Sequence, residues 1–375
     1  MKKLVTLTII LLNFSFVSYN QKVKIPTKQD VLQKMTIANK YFMEKWPDPG
    51  KQIVTDRVRA SNIWTRAVYY EGLMELYKID SRKEYLDYML KWAEFHNWNL
   101  RDGNTFTRNA DNQCAGQIYI DLYLMDPKPQ RIKYIKMSID SMLNTNKIDD
   151  WYWIDALQMA MPVFARLGKI YNDERYYKRM YEMYIYTRDS IGLYNKEEHL
   201  WWRDKDFLPP YKEPNGKNCY WSRGNGWVIA ALIRTLDIIP YNTIGYELYL
   251  QDYKNMVDAI AKIQREDGFW NVSLHDPEHF GGPETTGTSL FIYGIAWGIN
   301  KGILSKKIYM PIVMKAWNAI TEKALHKNGF LGYVQSTGKE PKDGQPVLYD
   351  KIPDFEDFGL GCFLLAGSEI YKLAR

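Results

Sequence analysis

From residue 29 onward, apolar residues return every three or four positions, and short runs rich in Gly, Asp, Asn and Pro break the rhythm. This period predicts helices near 29–46, 62–79, 82–97, 112–125, 130–144, 151–168, 173–190, 224–239, 246–264, 286–301, 307–323 and 356–373. Alternation of the β type is nearly absent, which disfavours a sheet-based fold. The segments 62–79, 112–125, 151–168, 224–239, 286–301 and 356–373 are apolar on almost every face, whereas 82–97, 130–144, 173–190, 246–264 and 307–323 carry charges at regular intervals. A helix apolar all round must be covered on all sides; an amphipathic one keeps a wet face.

Buried and half-exposed helices therefore alternate along the chain. Six inner and six outer helices joined by short turns describe an all-α (α/α)6 barrel, a single domain over residues 21–375. A weak repeat agrees with this: Arg101-Asp-Gly-Asn, His199-Leu-Trp-Trp-Arg-Asp, Glu266-Asp-Gly-Phe-Trp and Lys327-Asn-Gly-Phe-Leu-Gly each end an outer helix and precede an inner one. In such a ring these connections gather on one face, at the N-terminal mouths of the inner helices, where unpaired backbone N–H groups favour anions.

The first residues read differently. Lys2 and Lys3, an apolar run from Leu4 to Val17 and then small and polar residues match a secretory signal peptide over 1–20, with a periplasmic or secreted mature protein. The run is too short to cross a bilayer as a helix, nothing later reaches the length required, and no stable membrane span is expected. Fifty Lys and Arg against 44 Asp and Glu give a net charge of +6, scattered and too mild for a nucleic-acid binder. It does suit an anionic small molecule or polymer. Aromatic residues make up 15% of the chain, which suggests that many line a groove. The three cysteines, Cys114, Cys219 and Cys362, form no disulfide framework, and neither they nor the five histidines show metal-ligand spacing, so no metal and no cofactor are expected. A loop calcium is left open.

Polar groups stand at the start of the inner helices. Asp155 opens a run flanked by Trp151, Tyr152, Trp153 and Met159. An ionised carboxylate there is costly unless paired, hydrogen-bonded or protonated, and desolvation moves its pKa toward the range of a general acid. A helix cap, or an ion pair with Arg166 or another inner Arg, explains it as well. In Trp221-Ser-Arg223-Gly-Asn-Gly-Trp227 the glycines allow a tight turn, the guanidinium offers a bidentate donor to a carboxylate, and the indoles offer flat faces to sugar rings. Alternatively Arg223 is structural. Asp111 is either a second carboxylate or an N-cap. Glu284 and Thr288 either bind hydroxyl or carboxylate groups or cap their helix. Trp201, Trp202 and Tyr211 form either a sugar platform or packing.

Taken together, Trp153-Ile-Asp155-Ala-Leu-Gln-Met159-Ala-Met-Pro162, Trp221-Ser-Arg223-Gly-Asn-Gly-Trp227, Gln264-Arg-Glu-Asp-Gly-Phe-Trp270 and Glu284-Thr-Thr-Gly-Thr288 resemble the unsaturated rhamnogalacturonyl and unsaturated glucuronyl hydrolases, glycoside hydrolase families 105 and 88, from about residue 30 to the C-terminus. The resemblance implies removal of a 4,5-unsaturated uronic acid, galacturonyl or glucuronyl, from the non-reducing end of lyase-generated oligosaccharides by hydration of C4=C5. It implies that Asp155 is the general acid and base, that Asp111 is a second active-site carboxylate, and that Trp153, Met159, Trp221, Arg223 and Trp227 contact substrate. Arg203 occupies the place where some members carry a His, which leaves the neighbouring sugar open between rhamnose and other algal or plant gum uronides. Two other readings stand beside this one: an inverting glycosidase on a saturated glycan using Asp155 and Asp111, and a non-catalytic glycan-binding protein.

Overall fold

The computed structural model describes residues 24–375, so the signal-peptide reading of 1–20 lies outside the described residues. Twelve helices of eleven residues or more follow one another: α1 (Lys28–Lys45), α2 (Trp64–Ile79), α3 (Lys83–Phe95), α4 (Ala115–Met125), α5 (Lys133–Leu143), α6 (Asp155–Tyr171), α7 (Glu174–Ile185), α8 (Ser222–Leu236), α9 (Tyr246–Ala261), α10 (Thr285–Asn300), α11 (Lys306–Ala319) and α12 (Asp357–Leu373). Each overlaps a segment the periodicity marks, with ends that differ by up to five residues. A single turn, Ala110–Gln113, precedes α4, and one small antiparallel hairpin pairs Ile53–Val54 with Val58–Arg59.

The even-numbered helices form the inner ring. Contacts run from α2 to α4, to α6, to α8, to α10, to α12 and back to α2, and odd-numbered helices cover this ring from outside. Every residue of α8 is buried, as the apolar run around Trp227 requires. The aromatic content mostly fills the space between the rings. Trp92 of α3 lies against Tyr70 of α2 and Tyr119 of α4, and Trp317 of α11 stacks on Phe363 of α12 with ring centroids 5.2 Å apart. The expectation that many aromatics line a groove is corrected accordingly: most are packing.

Within the ring a closed polar network ties four inner helices together. Glu71 of α2 accepts from Gln158 Nε2 of α6 at 2.8 Å and lies 3.5 Å from Arg234 of α8, while the Cys114 thiol, just before α4, reaches its other oxygen at 3.6 Å. Arg234 also donates to Gln117 Oε1 of α4 at 2.9 and 3.1 Å. All these groups are buried, and within the network only Gln158 Oε1 has no partner among the described residues.

The turns that follow outer helices carry the strained backbone. Asp102, His199, Gly268 and Gly329 all have positive φ, the glycines at +98°. In the last two, Arg265 and His326 donate their N–H to Phe269 and Phe330 across the turn, at 3.0 and 2.8 Å, so the repeat seen in the sequence is a repeated tight hairpin.

Candidate active site

A cavity of ≈ 220 Å³ opens at the N-terminal mouth of the inner ring, lined by Trp64, Asp111, Trp153, Asp155, Met159, Arg203, Trp221, Arg223, Trp227, Thr337 and Gly338. It gathers both carboxylates and six of the candidate binding residues singled out by sequence.

Asp155 is the first residue of α6, and no side chain caps that helix. Its position is fixed from a neighbouring loop: Trp153 bridges antiparallel to Asp204, and Ile154 donates its N–H to the Arg203 carbonyl at 2.9 Å. That bridge delivers Arg203, whose Nε donates to Asp155 Oδ2 at 2.9 Å while its Nη1 donates to Asp204 Oδ2 at 2.6 Å. The buried partner of Asp155 is therefore Arg203. Arg166 pairs instead with Asp121 at 2.9 Å. Asp155 Oδ1 is buried and has no hydrogen-bond partner among the described residues. Burial pushes the Asp155 carboxyl up, the charge and hydrogen bond of Arg203 and the charge of Arg223 pull it back, and Asp204 adds a smaller upward push.

Asp111 sits in the turn Ala110–Gln113, and the cap there is Asn109, whose side chain accepts from the Asp111 N–H at 2.8 Å. The Asp111 carboxylate is thus not used as a cap. It lines the cavity, where burial first and the Asp155 charge second push it up to about 6, against the pull of Arg203 and Arg101.

Arg223 differs from the expectation. Its Nη1 and Nη2 donate to the carbonyls of Gln335 and Ser336 at 2.6 and 2.9 Å, so the fork is occupied by backbone, and only Nε is left without a partner among the described residues. The guanidinium lies over Trp221 and Phe358. Trp221 Nε1 donates to Gln335 Oε1 at 2.8 Å, and Thr337 N–H donates to Asp354 Oδ1 at 2.9 Å. Residues 335–338 are thereby pinned as the wall facing Asp155. Gly224 and Gly226 do not make a turn. Both are helical, and their role is proximity: a Cβ at Gly226 would lie 2.8 Å from Leu290 of α10.

Glu284 and Thr288 do not reach the cavity. Glu284 caps α10, accepting from the N–H groups of Thr286 and Gly287 at 2.8 and 2.7 Å, and Thr288 Oγ1 accepts from Trp270 N–H at 3.1 Å. Both are fully buried: the capping alternative holds for Glu284, whereas Thr288 ties the Trp270 backbone to the helix instead of capping it. Glu284 still matters at one remove, because its negative charge acts on Arg223 from behind. Trp201 and Trp202 are packing: Trp201 donates to the Met256 sulfur and Trp202 lies against Tyr220.

Three lining residues escaped the sequence reading. Trp64 begins α2 at the same rim as the other inner-helix starts, so the rule that found Asp155 and Trp221 also reaches it. Thr337 and Gly338 lie in a stretch without helical or strand elements, where periodicity carries no signal.

Away from this cavity, Glu213, Asp276 and His279 bring potential ligand atoms within 4.8 Å of one another. Their polar atoms are already engaged: Glu213 with Ser273 and His279, and Asp276 with the backbone of Asn215 and His279. No described helix is long and apolar enough to cross a membrane.

Residues 34–374 match the family described as Glycosyl Hydrolase Family 88. An unsaturated 3S-rhamnoglycuronyl hydrolase of Formosa agariphila is 33% identical over 332 residues, which cover 83% of this chain and 84% of that protein. The solved structure of a glycosyl hydrolase family 88 protein from Bacteroides vulgatus superposes with a TM-score of 0.84 at 34% identity, covering 92% of this chain and 99% of the other. The unsaturated glucuronyl hydrolase of Bacillus sp. GL1, at 13% identity and a TM-score of 0.68 over 93% of this chain and 97% of its own, is alike in fold.

Proposed function

The chain belongs to glycosyl hydrolase family 88, and from that premise we propose that it removes a 4,5-unsaturated uronic acid from the non-reducing end of lyase-generated oligosaccharides, with Asp155 as the acid and base. One observation carries this reading: a buried carboxylate in the cavity has one oxygen fixed by Arg203 and the other, Oδ1, unpartnered among the described residues. A cavity-lining carboxylate with one oxygen held and one unpartnered is what a proton shuttle needs.

In the proposed step the protonated Asp155 gives its proton to C4, and the C4=C5 electron pair forms the new C–H bond. Positive charge develops at C5 and is shared with the ring oxygen. Water adds at C5, and its surplus proton returns to Asp155, which restores the acid. The resulting hemiketal opens to a ketone, leaving C1 as a hemiacetal that expels the leaving sugar. Net consumption is one water per bond. Arg203 and the free Nε of Arg223 supply positive charge for the uronate carboxylate, while Trp153, Trp221 and Trp227 supply flat walls for the ring. The Asp155 charge helps to push the second carboxylate, Asp111, up toward its protonated form. The name of the Formosa agariphila relative supports rhamnose as the neighbouring sugar.

The test follows the ultraviolet absorbance of the conjugated C=C–COO⁻ group in a lyase-generated, unsaturated uronyl–rhamnose disaccharide. Wild type removes the signal, and Asp155→Asn does not. Unchanged loss in the variant would take Asp155 out of its role. The reading of 1–20 as a cleaved leader, supported by Lys2, Lys3 and the apolar run after them, places the enzyme in the periplasm or outside the cell; the intact mass of the exported protein checks it.

A further inference from the structure

A second cavity of ≈ 220 Å³ lies beside the first, lined among others by Phe42, Trp46, Arg66, Asp354, Phe355 and Glu356. The two share a partition. Thr337, which lines the catalytic cavity, donates its backbone N–H to Asp354, which lines the second, and the starts of α2 and α12 contribute to both neighbourhoods through Trp64, Arg66, Asp357 and Phe358.

The second cavity is built like a sugar site rather than like a packing defect. Its walls include three aromatic rings, Phe42, Trp46 and Phe355. Its lining residues also hold buried polar atoms with no partner among the described residues: Trp46 Nε1, Arg66 Nη1 and Glu356 Oε2. The rest of each polar group is anchored. Arg66 donates Nε to Asp357 at 3.0 Å with both side chains 2% exposed, and Lys45 holds Glu356 Oε1 at 2.5 Å. Tyr70, buried beside Arg66, turns its hydroxyl to the guanidinium, so the groups open to a ligand are those of Trp46 and Glu356. An unpaired buried donor or acceptor costs stability, and donors beside an acceptor are matched by a hydroxyl, which accepts from one and donates to the other. The charges of Arg66, Lys45, Asp354, Glu356 and Asp357 nearly cancel, which favours a neutral ring over an anion.

We propose that this cavity is a distal subsite that takes a neutral pyranose ring of the leaving oligosaccharide, reached across the Thr337–Asp354 partition, so that the enzyme favours substrates longer than a disaccharide. The proposal rests on the function proposed above for the neighbouring cavity.

The experiment compares the unsaturated uronyl–rhamnose disaccharide with the tetrasaccharide of the same repeat in wild type, Trp46→Phe and Glu356→Gln. Trp46→Phe keeps a ring and removes the N–H; Glu356→Gln keeps the shape and the Lys45 contact and removes the charge. The expected result is a lower KM for the tetrasaccharide in wild type, raised about three- to tenfold in each variant, with the disaccharide KM and kcat unmoved. Equal KM for both lengths in wild type, or equal losses on both substrates in the variants, overturns the subsite. Should neither substrate lose its absorbance, the proposed function fails and the cavity is judged by binding. Saturation-transfer NMR with saturated rhamnose-containing tetrasaccharide then shows contacts in wild type that Trp46→Phe weakens, and an identical pattern in both proteins refutes the site.

Discussion

Two buried acids in this ring begin from the same physics and end in different places. Glu71, in the interior, and Asp155, at the mouth, are both pushed up by burial and both pulled back by an arginine. Glu71 has every oxygen occupied, by Gln158, by Arg234 and by the Cys114 thiol. Asp155 has one oxygen tied to Arg203 and one free. Burial and a raised pKa therefore do not by themselves separate a structural carboxylate from a chemical one. What separates them is an oxygen left without a partner on a carboxylate that lines a cavity.

The sharpest way to break this contrast is to remove the carboxylate at the mouth. Asp155→Asn should lower kcat by about 10³-fold, with the unfolding midpoint in denaturant held or raised. A large loss of folded protein instead would make Asp155 structural, like Glu71. The converse test is Glu71→Ala, which strands Arg234 in the interior and should cost about 3–5 kcal/mol in chemical denaturation, while activity per folded molecule stays close to wild type. Arg203→Met comes next. It removes the charge and hydrogen bond that hold Asp155 down, so the Asp155 pKa rises further and the alkaline limb of kcat/KM moves to higher pH. Loss of orientation should also lower kcat/KM about 10–100-fold. An alkaline limb that stays in place would mean that Arg203 does not set the acidity.

The smallest effect concerns Asp111, whose folded value of about 6 lies above its ordinary 3.8. A raised carboxyl binds its proton more tightly in the folded state, so the folded protein gains protons relative to the unfolded chain between those two values. Stability then falls as pH rises through that window. Asp111→Asn abolishes the penalty. It should stabilise the fold by roughly 1–3 kcal/mol at pH 7, with the difference vanishing below about pH 4, read from denaturation curves across pH. A constant difference at every pH would show that the gain has another origin.

The helices were legible because an inner helix of this ring is wet on no side and an outer one on a single side, and that contrast is written directly into the spacing of Lys, Glu and Asp. The cavity was legible because inner helices must start at one mouth, so Asp111, Asp155, Trp221, Arg223 and Trp227 were read off helix beginnings and do meet there. The same rule misled at Glu284 and Thr288. A helix start offers a polar residue two occupations, capping the backbone or facing outward, and spacing does not say which. The 335–338 wall was invisible for another reason: its shape depends on hydrogen bonds to Asp354, Trp221 and Arg223, all distant in sequence from one another or from the wall itself. Composition says nothing about such partners. The fork of Arg223 was misassigned for the same reason.

The antiparallel bridge between Trp153 and Asp204 has an evolutionary corollary. The acid rides on a helix belonging to the barrel frame, whereas its counter-ion hangs from a connecting loop that is held to that frame by backbone bonds to Ile154 of the α6 entry and to Asn225 of α8. Drift in the loop can exchange the counter-ion and so move the working pH of the enzyme, while the frame, under separate selection for folding, stays as it is.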